Sequence, residues 1–362
     1  MACSYNQRFI LFLSYAFSFT RVVYGVPQVP CLFAFGDSLA DTGNNNDLNT
    51  MAKANFPPYG VDFPGGPTGR FSNGRNYADI IGELLGFTEY PPTYVTSQGK
   101  NVLMGVNYAS GGSGILPETG TNLGEVFSFD AQLSNHNTTV TRINNALREK
   151  DPDNLSLLNK CIYLVGFGSN DYINNYLLPQ GSETSTLYTP DQFADVLIKQ
   201  YSAQLIKLYN YGARKIVLFG LAMIGCSPAL VSMAPVKLES GCVDIANLAV
   251  KQFNDRLTPL VDTLNRDLQG AKFIFINSTH IASANPGLNG TAPAVTCCQT
   301  SNIDGRCVEN QQPCNDRMTP AFFDAFHPTE KSVAPTAIRA YKSASPLDAY
   351  PMDILHLSQL PT

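Results

Sequence analysis

Five short runs of branched and aromatic residues recur along this chain, near residues 30–36, 104–110, 161–168, 215–222 and 272–277. They are apolar at successive positions, the pattern of strands buried on both faces. The stretches between them carry the spacing of amphipathic helices, over 77–85, 130–149, 190–211 and 243–269, and a last helix starts near Thr329. Strands alternating with helices lead to a parallel sheet covered by helices on both faces. No internal repeat, charge run or linker breaks the order, so we expect one α/β domain over residues 26–362.

Residues 1–25 read as a leader rather than as part of that fold. Arg8 precedes an apolar run from Phe9 to Phe19 that is too short to span a bilayer easily, and Val23-Tyr24-Gly25 places a signal-peptidase cut after Gly25. A retained membrane anchor is the competing reading. No later segment approaches transmembrane length, so no integral membrane segment is expected after signal removal. The chain carries a formal net charge of −5, and the leader holds only basic residues, Arg8 and Arg21, so the mature chain is more acidic still. That balance, with no basic cluster, argues against nucleic acid and anionic membrane surfaces as partners.

Apart from Cys3 in the leader, the cysteines are Cys31, Cys161, Cys226, Cys242, Cys297, Cys298, Cys307 and Cys314. An even number behind a signal peptide points to disulfides. Clustering favours Cys226 with Cys242, and it groups Cys297 or Cys298 with Cys307 and Cys314, with connectivity left open. A zinc site in the late cluster is the competing reading; the Cys-Cys adjacency and secretion favour disulfides. Sequons at Asn137, Asn154, Asn277 and Asn289 suit a secreted glycoprotein.

The first run, Cys31-Leu32-Phe33-Ala34-Phe35, stops abruptly at Gly36-Asp37-Ser38. A strand that ends in glycine and a small nucleophile presents that nucleophile at the carboxyl edge of a sheet, where open parallel sheets bind ligands. A Gly-Asp-Ser triplet alone arises in roughly one chain of this length in ten, so the case depends on partners. A serine nucleophile needs a base, a group to orient that base, and donors for an oxyanion.

The mature chain offers four histidines, His136, His280, His327 and His356. His136 lies among polar residues beside a sequon and reads as solvated. His280 follows a predicted strand but has no local partner, and His356 reads as surface or packing. His327 stands in Asp324-Ala325-Phe326-His327-Pro328, where the spacing puts the aspartate and imidazole on one side of a single turn. Pro328 breaks helical geometry at that point. The competing reading is a pair that merely caps a turn. The third run ends Gly166-Phe167-Gly168-Ser169-Asn170-Asp171, which can aim an amide at a developing anion, or can be plain turn chemistry. The second ends Asn107-Tyr108-Ala109-Ser110-Gly111-Gly112-Ser113-Gly114, a turn able to offer backbone N–H groups. It lacks the G-x-G-x-x-G pattern of a dinucleotide loop, and G-x-S-x-G is absent from the whole chain. The loop from Asn44 to Gly74 and the region 286–317 are expected to wall the cleft.

These blocks, in this order, together with the ending Ser345-Pro346-Leu347-Asp348-Ala349-Tyr350-Pro351-Met352-Asp353-Ile354, resemble plant-type GDSL esterases/lipases of the SGNH hydrolase superfamily. The resemblance covers essentially the whole mature chain. It implies a three-layer α/β/α sandwich, flavodoxin-like, around a five-stranded, mostly parallel sheet, with no metal or organic cofactor. It implies that Ser38 is the nucleophile, His327 the base and then the acid, and Asp324 the residue that orients His327. The oxyanion donors it implies are the N–H of Ser38, the N–H of Gly111 (with Gly112 as the alternative) and the Asn170 side chain. The expected activity is a serine esterase or lipase, secreted to the cell wall space, that cleaves carboxylic esters through an acyl-enzyme. Lipid, cell-wall acetyl and small phenolic esters are the substrate classes it admits. An acyltransferase using the same triad with a hydroxyl acceptor, and a non-catalytic secreted binding or defence protein, are the alternatives.

Overall fold

The computed structural model describes residues 26–97, 102–150, 157–177, 184–234, 238–292 and 295–361. The expected leader and the Asn154 sequon lie outside these residues. Strands β1 (Leu32–Gly36), β2 (Ile162–Gly166), β3 (Lys215–Phe219) and β4 (Lys272–Ile276) pair in parallel in that order, and β5 (Ala349–Tyr350) closes the sheet antiparallel to β4. Among the described residues the helices are α1 (Tyr77–Leu84), α2 (Phe129–Lys150), α3 (Leu157–Lys160), α4 (Thr184–Leu187), α5 (Pro190–Asn210), α6 (Pro228–Ser232), α7 (Asp244–Asp255), α8 (Leu257–Asp267), α9 (Ser278–Ala282), α10 (Glu330–Tyr341) and α11 (Ile354–Gln359). A π-helical segment spans Asp171–Leu177.

The alternation of strand side chains builds the two interfaces. Phe33, Phe35, Tyr163, Val165, Ile216, Leu218, Phe273 and Phe275 face a core shared with α2, α5, α7 and α8. Leu32, Ala34, Leu164, Val217 and Ile274 face a second core shared with α1, α10 and α11. The result is the expected three-layer α/β/α sandwich. Full burial of a side chain such as Phe33 or Phe35 contributes roughly 1.5–3 kcal/mol.

Three sequence expectations change in detail. The run at 104–110 does not form a regular strand. Val102–Met104 is a 3₁₀ turn, and Gly105, at φ 110°, bends the chain where a Cβ would collide with the Leu32 carbonyl. The chain still runs beside β1, with Ala34 N–H donating to Val106 O and Tyr108 N–H donating to Ala34 O, and Asn107 bridges Ala34 in parallel. The fifth strand of the sheet is instead the two-residue β5. The helix expected over 243–269 divides into α7 and α8, because Pro259 has no N–H to give to the carbonyl of Asp255, four residues earlier.

The segment beside β1 decides where a ligand can sit. The chain leaves β1, passes along one side of it at 106–108, then crosses to its other side to form β2. A crevice opens at the carboxyl end of a strand whose two neighbours are reached by connections running opposite ways. Ser38 stands two residues beyond the end of β1.

Candidate active site

Gly36 must be glycine because β1 and β2 approach closely there: a Cβ would lie 2.9 Å from the Gly166 carbonyl oxygen. Its backbone is clamped by the buried Gln132 of α2, whose Oε1 accepts from Gly36 N–H at 3.1 Å and whose Nε2 donates to Gly36 O at 2.9 Å. The same carbonyl accepts from Ser110 N–H at 3.0 Å and Ser113 Oγ at 3.0 Å. Past this anchor the chain makes one tight turn: Asp37 O accepts from the N–H groups of Ala40 and Asp41, and the Asp37 carboxyl accepts from Leu39 N–H. Ser38 rides on that turn.

The imidazole of His327 meets it from the far end of the chain, with Nε2 2.7 Å from Ser38 Oγ. His327 Nδ1 lies 2.7 Å from Asp324 Oδ2 and 2.9 Å from Oδ1. Asp324 is fully buried, and Oδ1 also accepts from the backbone N–H of Phe326 and of His327. Burial alone would push the Asp324 carboxyl up, but His327 and the hydrogen bonds from His327, Tyr59 and Phe326 hold it below its ordinary value. A carboxylate only accepts, so Nδ1 carries a proton and Nε2 is left to accept from the serine hydroxyl. Phe71 flanks the ring at 4.9 Å between centroids.

The donors expected for an oxyanion divide. The Gly111 N–H donates to Asp41 Oδ2 at 2.9 Å, and a Cβ there would press on the Phe71 ring. Gly112, at φ 83°, lines the cavity in its place. Among the described residues neither the Gly112 N–H nor the Ser38 N–H has an acceptor. Asn170 Nδ2 donates one proton to Ser113 O at 3.0 Å and Asn170 Oδ1 lies 3.4 Å from Asn174 Nδ2, which fixes the amide and leaves its second N–H available. Gly36, the 110–113 turn and Asn170 thus form one hydrogen-bonded unit. Asp41 supports it from below, its buried carboxylate also accepting from Gly43 and Asn44 N–H, while Asn44 and Asn45 donate to the carbonyls of Asn107, Ala109 and Gly111.

Ser38, Gly112, Asn170 and His327 open on a cavity of about 720 Å³. Its walls come from the two regions the sequence suggested, through Met51, Ala52 and Phe71 on one side and Leu288 and Thr300 to Arg306 on the other. Leu221, Met223, Ile224 and Met233 add an apolar flank.

The other sequence candidates lie elsewhere. His136 is fully buried rather than solvated, packed edge-on against Phe33, Phe35 and Tyr108 and 3.2 Å from the Tyr108 hydroxyl; burial pulls its imidazole down to about 3. The polar letters around it occupy the outer face of α2, which a linear reading mistakes for its own surroundings. His280 is 3.6 Å from Asp348, and His356 pairs with Asp353 at the start of α11. Asn137 is exposed on α2; Asn277 caps α9 and Asn289 donates to Ser283 O. Disulfides join Cys31–Cys161, Cys226–Cys242, Cys297–Cys314 and Cys298–Cys307. The late cluster is therefore two bridges, and its sulfurs are not available as zinc ligands. Tyr59 and Gln132 are the residues that the sequence did not single out. The only trace of them was Tyr59's place in the Pro-Pro-Tyr-Gly loop and Gln132's on the inner face of an amphipathic helix.

Comparisons with known proteins show the family. The family model described as GDSL-like lipase/acylhydrolase matches residues 32–337. A GDSL esterase/lipase of Arabidopsis thaliana is 46% identical over 357 residues, covering 97% of this chain and 97% of its own length. A second is 45% identical over 340 residues, covering 92% and 93%, and a third is 43% identical over 348 residues, covering 94% and 95%. A solved structure, an acetylxylan esterase from Geobacillus stearothermophilus, aligns with 92% of this chain and 95% of its own at 12% identity and a TM-score of 0.37, a likeness too slight to carry an argument. With blocks, geometry and relatives in accord, the chain belongs to the family of GDSL-like lipases and acylhydrolases.

Proposed function

We propose that this chain is a secreted serine esterase that hydrolyses carboxylic esters through Ser38, His327 and Asp324. The observation that carries the reading is the unbroken line from Ser38 Oγ to His327 Nε2 at 2.7 Å and from His327 Nδ1 to Asp324 Oδ2 at 2.7 Å. Ser38 Oγ attacks the ester carbonyl carbon as its proton passes to His327 Nε2. The carbonyl oxygen becomes an anion that accepts from the N–H groups of Ser38 and Gly112 and from Asn170 Nδ2. Collapse breaks the carbon–oxygen bond of the leaving group, which takes the proton from His327 and departs as an alcohol. Water then gives a proton to His327 and attacks the acyl carbon, and release of Ser38 yields the free acid. Secretion is supported by four disulfides, which persist in oxidising compartments, and by the leader-like first 25 residues.

The test is labelling of the purified protein with a fluorophosphonate, peptide mapping of the adduct, and hydrolysis of p-nitrophenyl acetate and butyrate. We expect one adduct, on Ser38, and loss of both labelling and turnover in Ser38→Ala. An adduct elsewhere, or turnover that survives Ser38→Ala, refutes the assignment.

A further inference from the structure

We propose that the Tyr59 hydroxyl is a positioning group for Asp324, and that through it the disulfide-bridged segment 297–314 is part of the catalytic machinery rather than only a wall of the cleft. The inference rests on the triad reading above.

Tyr59 is fully buried among the rings of Phe56, Phe71 and Phe323. Its hydroxyl oxygen is 2.6 Å from Asp324 Oδ2 and lies 3.1 Å from the backbone nitrogen of Cys307. Chemistry fixes the direction of both bonds. The Cys307 N–H can only donate, so it takes a lone pair of the phenol oxygen. The Asp324 carboxylate can only accept, so the phenol proton points at Oδ2. Burial and the neighbouring Asp324 charge keep the phenol protonated. Among the described residues no lysine or arginine is hydrogen-bonded to this carboxylate: its partners are the N–H groups of Phe326 and His327, His327 Nδ1 and Tyr59. Tyr59 is the only one of these that does not come from the Asp324–His327 turn itself.

The segment that holds Tyr59 also holds the backbone on which Asp324 sits. Cys297 and Cys298 donate their N–H groups to the Phe323 carbonyl, and Ala325 N–H donates to Gly305 O. The bridges Cys297–Cys314 and Cys298–Cys307 close this segment on itself. Asp324 is thus fixed twice from one module, by its preceding peptide and by its outer oxygen. With the hydroxyl gone, Oδ2 keeps only the imidazole. The carboxylate charge, no longer shared with the phenol, then falls wholly on the imidazole side of the pair. Other ionisable groups facing this pair are Asp37, within electrostatic reach of His327, and Arg306, within reach of Tyr59.

The experiment compares the full-length protein with Tyr59→Phe, which keeps the ring and removes only the hydroxyl. Fluorophosphonate titration counts competent sites, so rates are read per site even where the variant is less stable. We expect kcat/KM per site to fall roughly tenfold through kcat, with KM within about twofold. We also expect the rising limb of labelling rate against pH to move to higher pH. An unchanged rate and limb overturns the proposal. So does a lost rate with an unmoved limb, which would mean that Tyr59 acts by packing alone. If Ser38→Ala keeps its activity, the triad reading itself fails; if Ser38→Ala is inactive and Tyr59→Phe is indistinguishable from wild type, only this inference fails.

Discussion

The two halves of the proposed reaction centre are held in opposite ways. Ser38 follows a regular strand in the middle of the sandwich, and the glycine before it is gripped by a helix that packs on the same sheet. His327 and Asp324 sit on a loop that leads into α10, and two disulfides, a tyrosine and a few backbone bonds support that loop. The carboxyls differ in the same sense. Asp37 and Asp171, near the serine, are pushed up to about 6, chiefly by burial, whereas Asp324, equally buried, is held low by the partners built around it. One half takes its geometry from the general fold, and the other from a purpose-built fixture.

The largest effect comes from cutting the link between the halves. Ser38→Ala and His327→Gln should each lower kcat/KM on p-nitrophenyl butyrate by roughly 10⁴- to 10⁶-fold, and the double variant should be no worse than the poorer single. Additive losses would show that the two residues do not act as a unit. Next, Asn170→Ala removes one donor from the strand-built half and should slow kcat about 10²- to 10³-fold without loss of folding, as followed by circular dichroism. A normal rate would strike Asn170 from the site. Smaller again is Gln132→Leu, which leaves the buried Gly36 N–H without its side-chain partner. Urea unfolding should show about 1–3 kcal/mol less stability, together with a drop in kcat of order tenfold. A loss of stability with an intact kcat would mean that the helix supports the fold but not the serine turn.

The smallest effect is on stability against pH, and the two halves should differ in sign. Asp37, raised to about 6, binds a proton more readily in the folded than in the unfolded chain, so its contribution is present below about pH 4 and fades as pH rises through 6. Asp324, held low, contributes above about pH 4 and loses that contribution as pH falls further. Unfolding curves from pH 3 to 7 should lose the first trend in Asp37→Asn and the second in Asp324→Asn. The same slope in both variants would dissolve the contrast.

How much of this could be read from the letters follows the same division. Sheet, layers and most helices were legible because burial on two faces leaves a run of apolar residues, and Gly36-Asp37-Ser38 was legible because a strand end is a local event. The bond that occupies the Gly111 N–H was not, since it comes from Asp41, seventy residues away. His136 misled because burial is a property of a helix face and not of a stretch of sequence. Tyr59 lies 265 residues from its carboxylate, a pairing without local signature.

Ser38 and His327 are 289 residues apart in the chain. A ribosome working from the amino end therefore releases the hydroxyl well before the imidazole. Through the synthesis of those residues the nascent polypeptide holds its serine without the proposed base, and the contact can form only once the segment around His327 has folded back onto β1. If the proposed chemistry holds, a nascent chain arranged in this order stays quiet towards esters until residue 327 has emerged and folded into place.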